Sequence, residues 1–254
     1  MQFLKSLEVK VRRFRDKLSP LLYSGNQFHC PVCDRSFRKF RSAGRGERKR
    51  LNAVCPYCIS RERDRLVFSF LKEQKARFFN DSTRLLHIAP EPCLERPFQK
   101  WAKGIYLTAD LIRTDVLEQF DVMSIPHPND SFDAVFCSHV LQDVPDDIKA
   151  MQEFFRVLVP GGWAILNVPV VTNQSADHRE QPRNIRKDSD ARPDEHLRSY
   201  GLDYPDRMHE VGFDLETIHA NDLFDDENLK RMAMDRPETG SIYLGCKPAS
   251  TNNG

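Results

Sequence analysis

Two pairs of cysteines have the spacing of a metal site. Cys30-Pro-Val-Cys33 is followed, after 21 residues, by Cys55-Pro-Tyr-Cys58. Each C-x-x-C knuckle delivers two thiolates from one tight turn, and two knuckles at nearly ribbon-like separation predict a tetrahedral four-cysteine zinc site. Four thiolates leave no open position for a catalytic water, so the predicted zinc is structural, from Cys30, Cys33, Cys55 and Cys58. Two disulfides are the rival in a secreted protein, and redox chemistry is the rival for a single C-x-x-C; paired knuckles in a reducing compartment favour the metal. Between the knuckles, the basic, glycine-punctuated run RSFRKFRSAGRGERKR reads as a hairpin or exposed loop. Its Phe37 and Phe40 suit a ribbon core better than a platform for nucleobases. Cys93, Cys137 and Cys246 have no ligand spacing and read as core thiols.

A second set of residues sits where strands should end. Asp110 closes the run Ile105-Tyr-Leu-Thr-Ala-Asp110, about 20 residues after the turn that follows Arg84–Ala89. An acid at that place can accept both hydroxyls of a ribose, in nicotinamide enzymes as in others. Ser138-His139 ends the apolar run Phe132–Ser138, and ligands of open α/β sheets lie outside the carboxyl ends of strands. His139 either works there, with an imidazole suited to general-base chemistry, or caps its own strand. The turn Ala89-Pro90-Glu91-Pro92-Cys93 contains no glycine. Pro92 can start a helix whose free N–H groups face an anion, whereas Glu91 can receive a cationic amino group. The alternative is a rigid proline-rich turn that binds nothing. His196, Arg198 and Tyr200 alternate, so they share one side of the chain if it is extended and splay if it is helical.

The elements that must position these groups follow from periodicity and turn residues. Phe132–Ser138 and Trp163–Val168 are β-favouring runs. Between them Pro145 starts a helix with Ile148, Met151, Phe155 and Leu158 on one face, and Pro160-Gly161-Gly162 ends it. Strand, crossover helix and strand make a βαβ unit, hence a parallel sheet. Further strands are predicted at Arg84–Ala89, Ile105–Asp110, just before Asp121, Gly212–Ile218 and Ser241–Cys246. Helices are predicted from Ser60, as N-cap, to about Phe79 and over Leu202–Val211. Met1–Leu22 reads as an amphipathic helix ringed by Lys5, Lys10, Arg12, Arg13 and Lys17, packed on its own domain or touching lipid or polyanion. Thr172–Pro193 is polar and irregular, a lid or a disordered segment.

The order "acidic residue, SFDAVFCSHVL, helix, RVLVPGGWAILNVP" resembles the second half of a class I S-adenosylmethionine-dependent methyltransferase. The resemblance covers roughly 84–248 and is closest to a subgroup with a zinc ribbon in front of the methyltransferase domain. It implies an α/β, Rossmann-like, seven-stranded and mostly parallel sheet. It also implies S-adenosyl-L-methionine as cofactor, held by Ala89, Glu91, Asp110, Asp121, Val122 and Ser138, with Asp121 near the adenine amino group. The stretch His196-x-Arg198-x-Tyr200-Gly201 resembles one in the same subgroup and implies substrate contacts from Arg198 and Tyr200. If the acceptor must lose a proton, His139 and His196 are the candidate catalytic bases. The glycine-free first turn departs from the family's usual pattern but resembles the Ala-Pro-Glu turn of the subgroup.

Domains are expected as a basic helix (1–25), the zinc ribbon (26–60), a connecting helix (61–80), the methyltransferase domain (81–248) and a frayed tail (249–254). The chain's 254 residues and 40% hydrophobic content suffice for one such domain and an appendage. No run approaches the roughly 18 apolar residues of a membrane span, and charges interrupt the N-terminus, so a cytoplasmic protein is expected. The net charge of +1 conceals +13 over residues 1–77 and −12 over the rest. Either the front meets an anionic partner, such as nucleic acid or a lipid headgroup, or it docks on the acidic remainder. Two other functions compete with methyl transfer. One is a non-catalytic ribbon module on a degenerate scaffold, favoured by the missing glycines. The other is a nucleotide-dependent oxidoreductase, opposed by the lack of a dinucleotide fingerprint.

Overall fold

The computed structural model describes residues 22–44, 46, 49–178 and 196–249; the basic N-terminal helix and most of the irregular segment lie outside them. The chain forms two compact units. One comprises the described residues of Met1–Glu73 with Pro92–Leu94 and Ala220–Thr239, and the other Gln74–Glu91, Glu95–His219 and Gly240–Gly254.

The first unit contains two antiparallel hairpins, β1 (Ser24–Cys30) with β2 (Arg35–Phe37) and β3 (Arg41–Ala43) with β4 (Arg50–Val54). The basic run between the knuckles therefore holds strands of both pairs. Phe37 and Phe40 are each 2% exposed and pack with Cys30, Cys55 and Ala233, as a ribbon core requires. Helix α1 (Glu62–Glu73) follows, and a break at Gln74 separates it from α2 (Lys75–Phe78), so the connecting helix is two helices. Ser60 does not cap α1. Its hydroxyl lies 3.2 Å and 3.3 Å from the sulfurs of Cys30 and Cys58, while Asp64 Oδ2 receives the Arg61 N–H near the helix start.

Assigning Ala220–Thr239 to this unit interrupts the expected span of 81–248. The physical reason is Arg65, which is 0% exposed and donates to the carbonyls of Ala53, Ser60, Met232 and Ala233. A buried guanidinium must fill its donor positions, and two of these acceptors come from the late segment. Acids also meet the front's charge here: Arg50 lies 3.3 Å from Glu62 and 3.9 Å from Glu238.

The second unit is built on one seven-stranded sheet. Its strands are β5 (Arg84–Ile88), β6 (Ile105–Asp110), β7 (Glu118–Gln119), β8 (Phe132–Ser138), β9 (Leu158–Asn167), β13 (Asp214–His219) and β14 (Ser241–Cys246). Their order is β13-β14-β9-β8-β5-β6-β7, with β14 antiparallel to both neighbours and every other pair parallel. The chain winds outward from β5 through β6 to β7, then returns to β8 on the other side of β5. In open α/β sheets such a reversal is the usual place for ligands, and here it falls at the carboxyl ends of β5 and β8.

Helices α3 (Pro92–Trp101) and α4 (Asp147–Val157) make the crossovers into β6 and β9. α4 buries Ala150, Met151, Phe154 and Val157, with Ile148 and Phe155 at the margin, so its inner face is rotated from the expected one. Pro160-Gly161-Gly162 does not precede the next strand but lies within it. Phe132 pairs with Leu158 and Ala134 with Trp163, and the extra residues bulge where Gly161 takes φ +79°.

A small sheet follows, from β10 (Val170–Thr172), β11 (Ala176–Asp177) and β12 (Arg198–Gly201), with β12 in the middle. Helix α5 (Tyr204–Val211) then ends on Gly212 at φ +108°. Among the described residues no helix is long and apolar enough to cross a membrane.

Candidate functional site

The four cysteine sulfurs all lie within 4.8 Å of one another. Cys30 is 3.5 Å from Cys58 and Cys33 is 3.7 Å from Cys55. A tetrahedron with metal–sulfur bonds of about 2.3 Å has edges of about 3.8 Å, whereas a disulfide needs about 2.05 Å. The spacing is that of four thiolates around one small cation. The Tyr57 N–H points at Cys55 Sγ at 3.4 Å, as groups outside a thiolate cluster do. Burial lowers the pKa of Arg65, and the charges of Cys30 and Glu62 oppose that shift. A positive group beside four thiolates offsets the net charge that zinc leaves.

The other predicted groups sit along the carboxyl ends of β5, β6, β7 and β8. Ala89 follows β5 with φ +47°, and its N–H donates to the Ala109 carbonyl at 2.7 Å. Glu91 is the N-cap residue of α3, with Pro92 in the first helical turn. Its Oε2 is 2.9 Å from Nε2 of His87, whose Nδ1 is 2.9 Å from the Tyr106 hydroxyl. Asp110 ends β6, and its Oδ1 accepts the N–H groups of Ile112 (2.7 Å) and Arg113 (2.8 Å). Holding one oxygen in this turn orients the carboxylate. Arg113 pairs with Asp115 through both arms of its guanidinium and reaches the Pro90 carbonyl at 2.7 Å, so the loop after β6 is tied to the first turn. Asp121, two residues beyond β7, accepts the Met123 N–H at 2.9 Å, and Val122 beside it is 8% exposed. Ser138 ends β8 and is buried at 7% exposure. His139 takes φ +55°, its N–H donates to the Asn167 carbonyl at 2.8 Å, and its carbonyl accepts Gln142 Nε2 at 2.6 Å.

Arg198 and Tyr200 lie in the extended strand β12, His196 in a bend just before it, and all three meet the segment after β8. His196 Nδ1 is 2.7 Å from Asp143 Oδ1, in the 3-10 turn Leu141–Asp143. Tyr200 donates its hydroxyl to Asp147 Oδ2 at 2.8 Å, and Arg198 Nη1 is 3.2 Å from Asp147 Oδ1. Arg207 completes this hub with bonds of 2.9 and 2.6 Å to the same carboxylate. Arg198 is 2% and Tyr200 0% exposed, so the structure directs both to Asp147 rather than to an open cleft. Burial and the Asp147 charge push the Tyr200 phenol well above its ordinary range.

Asp143, Asp147, His87 and Tyr106 were not singled out in the sequence. Nothing local marks the partners of Asp143 and Asp147, which lie more than 50 residues away. His87 reads as one position of a buried strand.

Residues 99–166 match the profile of a family described as "Methyltransferase domain". A stretch of 49 residues, 19% of this chain, is 39% identical to demethylmenaquinone methyltransferase of Deinococcus radiodurans and spans 20% of that enzyme's length. Among solved structures, the fold is similar to an S-adenosylmethionine-dependent methyltransferase from Mesorhizobium loti (TM-score 0.46, 14% identity, 71% of this chain and 98% of that one). It is also similar to the YcgJ protein of Bacillus subtilis (TM-score 0.43, 14% identity, 72% and 100%). The strand order with its antiparallel β14 is that of the α/β methyltransferase fold, the family match falls within this unit, and a four-cysteine cluster lies in the N-terminal part of the chain.

Proposed function

We propose that the chain is an S-adenosylmethionine-dependent methyltransferase with a structural zinc in its ribbon. One observation carries this reading: three carboxylates, Glu91, Asp110 and Asp121, stand at or just beyond the carboxyl ends of the adjacent strands β5, β6 and β7. Asp110 suits the ribose hydroxyls, Asp121 the adenine amino group and Glu91 the ammonium of the methionine part. The buried Val122 supplies an apolar wall next to Asp121. Bound there, the cofactor supplies a sulfonium methyl group for in-line transfer.

The residues of the chain then have three tasks: to bind, to align and to take a proton. Because transfer from a sulfonium would need little charge stabilisation from the protein, the main task of the chain would be to align the acceptor within a dry cleft. His196 is the base. Its Nδ1 is fixed by Asp143, which leaves Nε2 as the proton-accepting atom when Nδ1 carries the hydrogen. This favours an acceptor with an O–H or N–H that must ionise. His139, held by its backbone bonds at the end of β8, contacts the reacting region. Arg198 and Tyr200 shape the acceptor side from within, through Asp147, without touching the acceptor.

The two prolines of the first turn favour a second reading, in which the fold is a scaffold that binds no cofactor. Calorimetric titration with S-adenosylmethionine and S-adenosylhomocysteine decides between them. Saturable binding supports the enzyme, and no heat at millimolar ligand with the fold intact leaves the scaffold.

A further inference from the structure

We infer that His87, with Tyr106 behind it, is a positioning residue that aims Glu91 at the ammonium group of the ligand's amino-acid end. The inference rests on the proposal that these strand ends hold S-adenosylmethionine. His87 is 0% exposed, in the middle of β5, where its neighbours Leu86 and Ile88 are apolar. Its ring lies 5.2 Å from that of Phe98 and 5.1 Å from that of Phe136. A strand position walled by aromatic rings would be filled at less cost by an apolar side chain, since a buried polar ring is tolerated only when both nitrogens are bonded. Both are bonded here, one to Tyr106 and one to Glu91.

The direction of the hydrogens follows from Glu91. A carboxylate only accepts, so Nε2 carries the hydrogen and donates to Glu91 Oε2. Nδ1 of the neutral ring then accepts the Tyr106 O–H, whose proton burial helps to keep. One carboxylate oxygen is thereby held and Oε1 is left for a ligand; the Glu91 side chain is 13% exposed.

The backbone of the turn points to the same ligand charge. Pro90 and Pro92 have no N–H, and the Ala89 N–H is spent on Ala109. The Pro90 carbonyl is taken by Arg113. A glycine-rich turn grips an anion with successive N–H groups, but this stretch has no such row. What it presents is a fixed carboxylate, which receives a cation. The turn therefore holds the amino end of the ligand where a glycine-rich turn would hold the carboxylate end.

Two ligands with the same nucleoside separate this role from a general effect on folding: S-adenosylhomocysteine carries the amino-acid end and 5′-methylthioadenosine lacks it. His87→Phe keeps an aromatic ring but removes both bonds. It should weaken S-adenosylhomocysteine about fivefold and leave 5′-methylthioadenosine within about twofold. In a Glu91→Gln background, His87→Phe should cost little more, because the group it aims is already gone. Equal losses for both ligands, no loss, or an undiminished loss in the Glu91→Gln background would overturn the inference. If His87→Phe does not fold, Tyr106→Phe takes its place, with a smaller loss confined to S-adenosylhomocysteine expected and an unchanged affinity refuting it. Wild-type protein that binds neither ligand removes the cofactor proposal and this inference with it. Binding without the contrast removes only the role of His87.

Discussion

His196 and Asp143 stand 53 residues apart in sequence and 2.7 Å apart in space, imidazole Nδ1 to carboxylate Oδ1. The His196 side chain is 17% exposed and that of Asp143 53%, so the pair is open to solvent on the carboxylate side. A carboxylate on one ring nitrogen fixes the tautomer and orientation of the other, which is what a general base needs.

Asp143→Asn keeps the shape and removes the charge. With an O–H or N–H acceptor that supports turnover, kcat should fall about tenfold to a hundredfold, while calorimetric affinity for S-adenosylhomocysteine stays unchanged. His196→Ala should cost more, about a hundredfold or beyond. Full turnover by both variants would assign the dyad to structure alone.

Asp147 is a buried carboxylate, 1% exposed, between Arg198, Arg207 and Tyr200. Asp147→Ala takes one of two carboxylates from the buried Arg198, which keeps Asp177, and removes the acceptor shared by Arg207 and Tyr200, at a cost of about 3–5 kcal/mol. For a unit of this size that is a fall in Tm of roughly 6–20 °C, read by thermal circular dichroism. Asp147→Asn, which still accepts from Tyr200, should fall less. A shift of under about 2 °C for Asp147→Ala would show that water replaces the carboxylate and that the hub is no lock.

Glu153 provides a pH test. Arg156 binds it through Nε and Nη2, both at 2.8 Å, and the Ile125 N–H donates to it at 2.8 Å. The guanidinium holds the Glu153 carboxyl below its ordinary range despite partial burial. The folded state therefore gives up this proton more readily than the unfolded chain. The stabilisation is complete above the unfolded value, about 4.3, and fades as pH falls through the lower folded value. Urea midpoints of wild type should drop between about pH 5 and 3 more steeply than those of Glu153→Gln. Parallel curves would mean that other carboxylates carry the acid limb.

Much of the second unit was readable because local signals were strong. Ile105–Asp110, Phe132–Ser138 and Ser241–Cys246 are apolar runs closed by turns, and the strands occupy those spans. β7 has only two residues, too few for any periodicity, and only Asp121 after it marked its place. Pro160-Gly161-Gly162 looked like a stop because these residues usually break structure; here register is restored across the bulge by pairing with β8. Ser60 had the identity of an N-cap, yet the cysteine sulfurs claim its hydroxyl. His87 and Glu91 are four apart, a spacing that brings side chains together on a helix; they meet because the chain folds back after β5. Arg65 could not be placed from sequence, since two of its acceptors are 167 and 168 residues away.

The ribbon should bind about one zinc per chain, and Cys30→Ser should release it. Cys30 is 0% exposed, in the core with Phe37 and Phe40, so loss of the metal should loosen that core as well. Hydrogen exchange over β1–β4 should rise in the variant while exchange over β5, β8 and β9 stays as in wild type. Wild-type protein with no metal and four titratable thiols would overturn the zinc assignment.

Asp110 tests the proposed cofactor site most directly. Its Oδ1 is held by two N–H groups at 2.7 and 2.8 Å, so the carboxylate is already oriented before a ligand arrives. A preorganised carboxylate that accepts ribose hydroxyls contributes about 1.5–3 kcal/mol, and Asp110→Ala should weaken S-adenosylhomocysteine about tenfold to a hundredfold. Asp121→Ala should cost less, because one bond to an adenine amino group is partly replaced by water. Asp110→Asn separates charge from shape: it keeps an oxygen for the turn, so a loss as large as that of the alanine variant would assign the effect to the ribose contact rather than to the loop. Since 5′-methylthioadenosine carries the same ribose, it should lose the same factor with Asp110→Ala and be indifferent to Glu91→Gln. If S-adenosylhomocysteine loses affinity and 5′-methylthioadenosine does not, Asp110 does not hold the ribose and the order of the three carboxylates along the ligand must be reassigned.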